Sequence, residues 1–330
     1  MTKVSIIATT MSGSIKDSCK IKKIKPEFEK YFPGSVAVHI VDSHQAAYDT
    51  AKSIIEKGER TIISAGGAGT FNSVVRACCE SGVDMSDLRV GFLRKGSADL
   101  IGKALGISDE VTQAVKDISE AIADDRTMRA DIISVTTKNK VQEALPKQYI
   151  IGFGGFGIFG YIPVITENKF KKQYKGLLGY FFGDRGPFVV GALSAAVRHY
   201  IRKIFFLKNT YNITLDAERL SEKKYSTIML LNGDLGKHFP LAPGMALGDG
   251  HFKIVALEDK GFFRFVNQFK QCWNGNTNSN GIDSFVAKQM TIEQKGPGPF
   301  WINIDGLGGR VYGSVHCEVS DSLLLLSARK

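Results

Sequence analysis

Short apolar runs along the first part of the chain alternate with segments whose apolar residues recur at helical spacing. Val4–Thr9, Val36–Val41, Thr61–Ala65 and Val90–Leu93 are continuous enough to be strands covered on both faces. Between them, Gln45–Glu56 carries Ala47, Ala51, Ile54 and Ile55 on one helical face, and Phe71–Glu80 carries Phe71, Val74, Val75 and Cys78. A further helix is predicted over Glu110–Ala123. A short one is predicted over Pro26–Tyr31, with Pro26 at its opening position, where a missing N–H costs nothing. Alternating strands and helices predict a doubly wound α/β domain over residues 1–128, with ligands taken in the crevice beyond the carboxyl ends of its strands.

After Met128 the pattern changes to many short strands separated by Gly, Asn and Asp. Candidates are Ala130–Thr136, Tyr149–Phe153, Tyr211–Leu215, Thr227–Leu231, Phe252–Leu257, Phe285–Ile292, Trp301–Ile304, Val311–Glu318 and Leu323–Ser327. They predict an antiparallel β-sandwich over residues 129–330, interrupted by helices at Phe188–Phe206 and Phe262–Trp273, with the last strand free to return to the first domain. The expected fold is therefore α/β plus β.

Charge alters this picture in one place. The chain of 330 residues has a net charge of +10, and the window 169–208 holds nine Lys or Arg residues against Asp184 alone. Its cations are interleaved with apolar anchors such as Phe181, Phe182 and Ile204–Leu207. That mixture suits an anionic membrane surface, with a core helix bearing a solvated basic face as the plainer alternative. It argues against nucleic acid, for which polar stacking surfaces would be expected. Five cysteines without a CxxC pair read as reduced thiols of a cytoplasmic protein, peripheral at a membrane if the basic window docks there. The opening MTKVSIIATTMSG lacks a signal-peptide pattern, and Arg198 interrupts the longest apolar stretch.

The candidate chemistry lies at the strand ends. SAGGAGTFNS, Ser64–Ser73, places Gly66, Gly67, Gly69 and Thr70 between a strand and a helix, where main-chain N–H groups can meet a polyphosphate without a Cβ in the way. An isolated glycine turn is more often just a tight turn, but this position favours binding. A second small turn, Gly96 and Ser97, follows Val90–Leu93, and a third, Ser12 and Gly13, follows the first strand. Arg94 and Lys95 precede the second turn, either as cations for phosphate or as ordinary surface charges. No metal-ligand spacing and no Ser-His-Asp order is present.

These stretches resemble the diacylglycerol kinase catalytic-domain family, which includes soluble bacterial diacylglycerol kinases and sphingosine and ceramide kinases. TTMSG, Thr9–Gly13, is similar to the family's NPxSG; GGAGTFNSV, Gly66–Val74, to GGDGTxNEV; and RKGSADL, Arg94–Leu100, to PxGTAND. IGFGGFG, Ile151–Gly157, resembles the glycine-rich start of the family's second domain, GDGHFKI, Gly248–Ile254, its DDG and strand, and DGL, Asp305–Leu307, its DGE. The resemblance implies ATP or a related nucleotide held by the glycine turns, and a lipid or lipid-like alcohol as acceptor. Ala68, Ser73, Leu100, Gly248 and Leu307 stand where the family has carboxylates, so it leaves the need for Mg²⁺ open. Asp305 and Asp249 remain as candidate catalytic residues, each equally readable as a turn residue before glycine. Three readings stay open: a divergent lipid kinase, a binder of nucleotide or phospholipid without turnover, and a phosphate-handling enzyme on a small soluble substrate. A homodimer is compatible with each.

Overall fold

The continuous apolar runs of the N-terminal part become a parallel sheet in a computed structural model, which describes residues 3–10, 15–94, 100–138, 147–167, 186–205, 210–216, 218–219, 224–237, 239–295 and 299–329. The chain divides into two units. The first comprises Met1–Ile132 together with Asp321–Lys330, and the second Ile133–Ser320.

In the first unit, strands β1 (Val4–Thr9), β2 (Val36–Val41), β3 (Thr61–Gly66) and β4 (Arg89–Arg94) run parallel in the order β2-β1-β3-β4. Every residue of β1 and β3 is buried, as a sheet covered on both faces requires. The cover is helical. Helix α2 (His44–Glu56) packs on α3 (Ala68–Cys79), and α1 (Ile15–Glu29) on α5 (Val111–Ala123), while the short α4 (Leu100–Ala104) follows β4. Helix α2 buries the four apolar residues expected of it and starts at Ser43, whose Oγ accepts the Ala46 N–H at 3.0 Å. Helix α1 corrects the expected start at Pro26, because Pro26 lies inside it. Ile21, Ile24 and Phe28 are buried along one stripe, and their packing outweighs the backbone bond that the proline removes.

The second unit contains β5 (Thr127–Lys138, begun in the first), β6 (Gln148–Ile150), β7 (Phe153–Gly157), α6 (Ile158–Glu167), α7 (Gly186–Phe205), β8 (Thr210–Leu215), β9 (Glu218–Arg219), β10 (Tyr225–Leu231), β11 (Phe252–Glu258), α8 (Phe262–Trp273), β12 (Ile282–Ala287), β13 (Gln289–Lys295), β14 (Phe300–Ile304), β15 (Leu307–Val311) and β16 (Ser314–Leu326). One sheet has the antiparallel order β12-β11-β10-β7-β14-β15. In the other, β13 lies between β16 and β8, with β9 beyond. Phe156, Ile228, Ile254 and Ile302 of the first share one core with Ile213, Ile292, Val315 and Cys317 of the second, so the expected sandwich is present.

Three expected strands are divided. Tyr149–Phe153 breaks because the Ile151 and Gly152 N–H groups turn to a side chain instead of a neighbouring strand. Phe285–Ile292 breaks at Lys288, sending β12 to one sheet and β13 to the other; Asp216 Oδ1 accepts the N–H groups of Lys288 and Gln289 there. Val311–Glu318 breaks at Gly313, whose φ of 102° is open to glycine. Strand β16 then continues to Leu326, and its last residues pair in parallel with β4, Leu324 opposite Arg89 and Leu325 opposite Val90.

Candidate functional site

Strands β1, β3 and β4 end at one rim of the parallel sheet, Ala8 beside Ala65 and Gly66 beside Arg94. There β3 passes directly into α3 through Gly67, the N-cap, which offers no side chain to the helix end. The first helical bond of the turn runs from the Phe71 N–H to the Gly67 carbonyl at 3.1 Å. The N–H groups of Ala68, Gly69 and Thr70 therefore come before the helical ladder, at the positive end of the helix. Gly67, Ala68 and Gly69 are half-buried and Thr70 is buried, so the turn is open on one side. Such an end can take a phosphate group.

Gly66 is required by packing. A Cβ there would lie 2.7 Å from Thr9 Cγ2 and 2.8 Å from Thr70 Oγ1, so β1, β3 and α3 could not converge as they do. The first turn of α3 has no acidic residue, Ala68 contributing only a methyl group. Ser73 Oγ donates to the Gly69 carbonyl at 3.0 Å, closing a bond within its own helix. Of the residues expected to join this cradle, Gly66, Gly67, Gly69 and Thr70 form one turn, and Arg94 reaches it through its backbone. Ser12, Gly13, Gly96 and Ser97 lie outside the described residues, as do Lys95 and Asp99.

In the second unit Asp305 and Gly306 form the two-residue turn between β14 and β15, with Ile304 opposite Leu307 and φ values of 46° and 87°. Two positive φ values are what a tight hairpin of this length needs. Asp305 is 0% exposed. Its Oδ2 accepts the Ile151 N–H, and its Oδ1 accepts those of Gly152 and Phe153, each at 2.9 Å. Asn232 holds the other side of the same loop, its Nδ2 donating to the Ile151 carbonyl at 2.8 Å and its backbone N–H to the Gly152 carbonyl at 3.0 Å. A buried carboxylate engaged at both oxygens satisfies its desolvation and fixes the glycine-rich segment that enters β7.

Small residues are needed in that segment and just beyond it, at the start of α6. A Cβ on Gly155 would lie 2.3 Å from the Ile228 carbonyl oxygen, and one on Gly160 2.1 Å from that of Trp301. Asn232 was not singled out from the sequence. The signal available was a polar residue directly after Tyr225–Leu231, a strand buried at every position.

Asp249 has the opposite setting. It is exposed, its Oδ1 accepts the His251 N–H at 3.1 Å, and Gly250 follows with φ 80°. Among the described residues no three His, Cys, Asp or Glu side chains are grouped to hold a metal ion, and no helix is long and apolar enough to cross a membrane.

Residues 3–135 match the family model of the diacylglycerol kinase catalytic domain, which bears out the resemblance carried by the glycine motifs. The diacylglycerol kinase of Staphylococcus haemolyticus (strain JCSC1435) is 23% identical over 212 residues, which are 63% of this chain and 53% of that relative. The match thus spans about half the length of the curated relative. A diacylglycerol kinase structure from Bacillus anthracis str. Sterne has a TM-score of 0.62 at 14% identity, covering 98% of this chain and 96% of its own. Two further structures from that organism have TM-scores of 0.64 and 0.66, each 17% identical and covering 98% of this chain and 97% of theirs. At such identities they show a shared fold.

Proposed function

With residues 3–135 matching the diacylglycerol kinase catalytic domain, we propose that this chain binds ATP or a related nucleotide at the β3–α3 turn and transfers phosphate to the hydroxyl of a lipid or lipid-like alcohol. The observation that carries this reading is the open helix end at Ala68–Thr70, at the rim where a parallel sheet takes its ligands. Its amides fit a phosphate. Fixed N–H groups offset charge in phosphoryl transfer, which depends chiefly on positioning and electrostatics. The described residues do not fit a family-type metal group, because Ala68 and Leu307 replace carboxylates and no acidic cluster takes their place, so no step is assigned to Mg²⁺. Asp305 acts in this reading as a positioning residue for the Ile151–Phe153 loop.

A second reading, nucleotide or phospholipid held without turnover, is favoured by the alanine at the first turn of α3. ADP release with a dispersed short-chain diacylglycerol separates the two. A kinase releases ADP only when the acceptor is present, with and without added Mg²⁺ compared; a binder shows a melting shift with ATP and no ADP. Turnover on a small soluble alcohol, indifferent to lipid, would replace the lipid acceptor by a soluble one. Absence of both turnover and nucleotide binding would overturn the whole assignment.

A further inference from the structure

The C-terminal half of α7 and the start of α8 leave large apolar groups in water. Phe263 is 88% exposed, Ile201 51% and Val197 44%. On α7 the buried face carries Ala192, Ala195 and Ala196, while Ser194, Val197, Arg198, Ile201 and Arg202 recur at helical spacing on the exposed one. The two helices are joined at this place. The Tyr200 ring meets Phe262 edge-on at 6.2 Å, Phe262 meets Phe263 at 5.7 Å, and Lys203 Nζ lies 2.6 Å from Asp259 Oδ2, just before α8. The start of α8, which carries the exposed Phe263, is thus held against the end of α7, which carries the exposed Ile201.

Single exposed aliphatic residues are ordinary. A phenylalanine left almost wholly in water, on a helix packed against another that also exposes two large apolar groups, with charge of one sign on both, is not. Helices α7 and α8 contain Arg198, Arg202, Lys203, Arg264 and Lys270 and no Asp or Glu. The carboxylates just before α8, Glu258 and Asp259, are already paired with Lys260 and Lys203.

We infer that Val197, Ile201 and Phe263, together with Arg202 and Arg264, form a face that docks on an anionic lipid bilayer. The apolar groups enter the acyl boundary, and the guanidinium groups meet headgroup phosphates. The inference deepens the lipid-directed reading of the site but takes its geometry from the second unit alone.

The test is flotation of the full chain with phosphatidylcholine vesicles, with and without phosphatidylglycerol. Binding is expected on the anionic vesicles and not on the neutral ones, and weakens as salt rises. Phe263→Ser lowers the partition coefficient roughly tenfold or more, and Arg202→Glu with Arg264→Glu does so as well, with thermal melting unchanged. Val286→Ser, at a residue 60% exposed on β12, has no effect. In Phe263→Trp the added fluorescence shifts to the blue on anionic vesicles. No binding to anionic vesicles, or binding that both sets of changes leave intact, overturns the inference, as does a monomer–dimer equilibrium abolished by Phe263→Ser. Turnover on the dispersed acceptor keeps the two questions apart. Lost docking with turnover intact refutes only the membrane face, and docking without turnover refutes only the kinase.

Discussion

A single buried carboxylate shows how differently one residue reads in sequence and in space. Asp305 before Gly306 is a turn signal, and the structure adds three amides from another part of the chain. Asp305→Asn keeps the shape but replaces one acceptor oxygen by a donor, so a loss of about 2–3 kcal/mol in urea unfolding is expected. Gly160→Ala, whose methyl would meet the Trp301 carbonyl, costs about 1–3 kcal/mol by the same measurement. Neither cost was legible beforehand, because the partners are remote in sequence; what was legible was that IGFGGFG, just ahead of Gly160, is unusual. The lost acids at Ala68 and Leu307 were equally plain, since substitution at a motif needs no structure. Titration follows burial. Cys272 is pushed up to about 12, so under native conditions at pH 8 it resists iodoacetamide, and mass spectrometry should find it modified only after unfolding.

Helices and strands were read most faithfully where one periodicity persisted. Helix α2 and the four parallel strands occupy the expected stretches because burial on one or both faces leaves a direct imprint. Sheet switching left none. The apolar pattern runs across Lys288 although β12 and β13 belong to different sheets, since Asp216 receives the freed amides. Cap and helix agree at Ser43, and Ser43→Ala should cost about 1 kcal/mol in thermal unfolding. His199 on α7 gives that element a pH dependence. Its pKa is lowered, first by burial, then by Lys203 and Arg202, with Asp259 opposing. The unfolded chain takes up the proton near pH 6.5 and the folded chain resists it, so stability declines as pH falls below about 6.5. Urea midpoints at pH 7.5 and 5.5 should differ less in His199→Gln than in the parent protein.

For the molecule as a whole, the change from alternating elements to short strands announced two kinds of architecture. A return of the last strand to the first domain was open from the sequence; that this strand is continuous with one of the sandwich, and that β5 crosses as well, was not. Strand β16 gives its first residues to the sandwich and its last to the parallel sheet, where Leu323, Leu325 and Leu326 are fully buried. Removing Asp321–Lys330 would uncover β4 and forfeit about 1.5–3 kcal/mol for each of the three leucines. The shortened chain should unfold at lower urea or collect in the insoluble fraction. The order of manufacture on the ribosome follows from this thread. The parallel sheet must wait, one strand short beside β4, until everything between β4 and the end of β16 has been translated, so it cannot close before the strands of the sandwich have emerged.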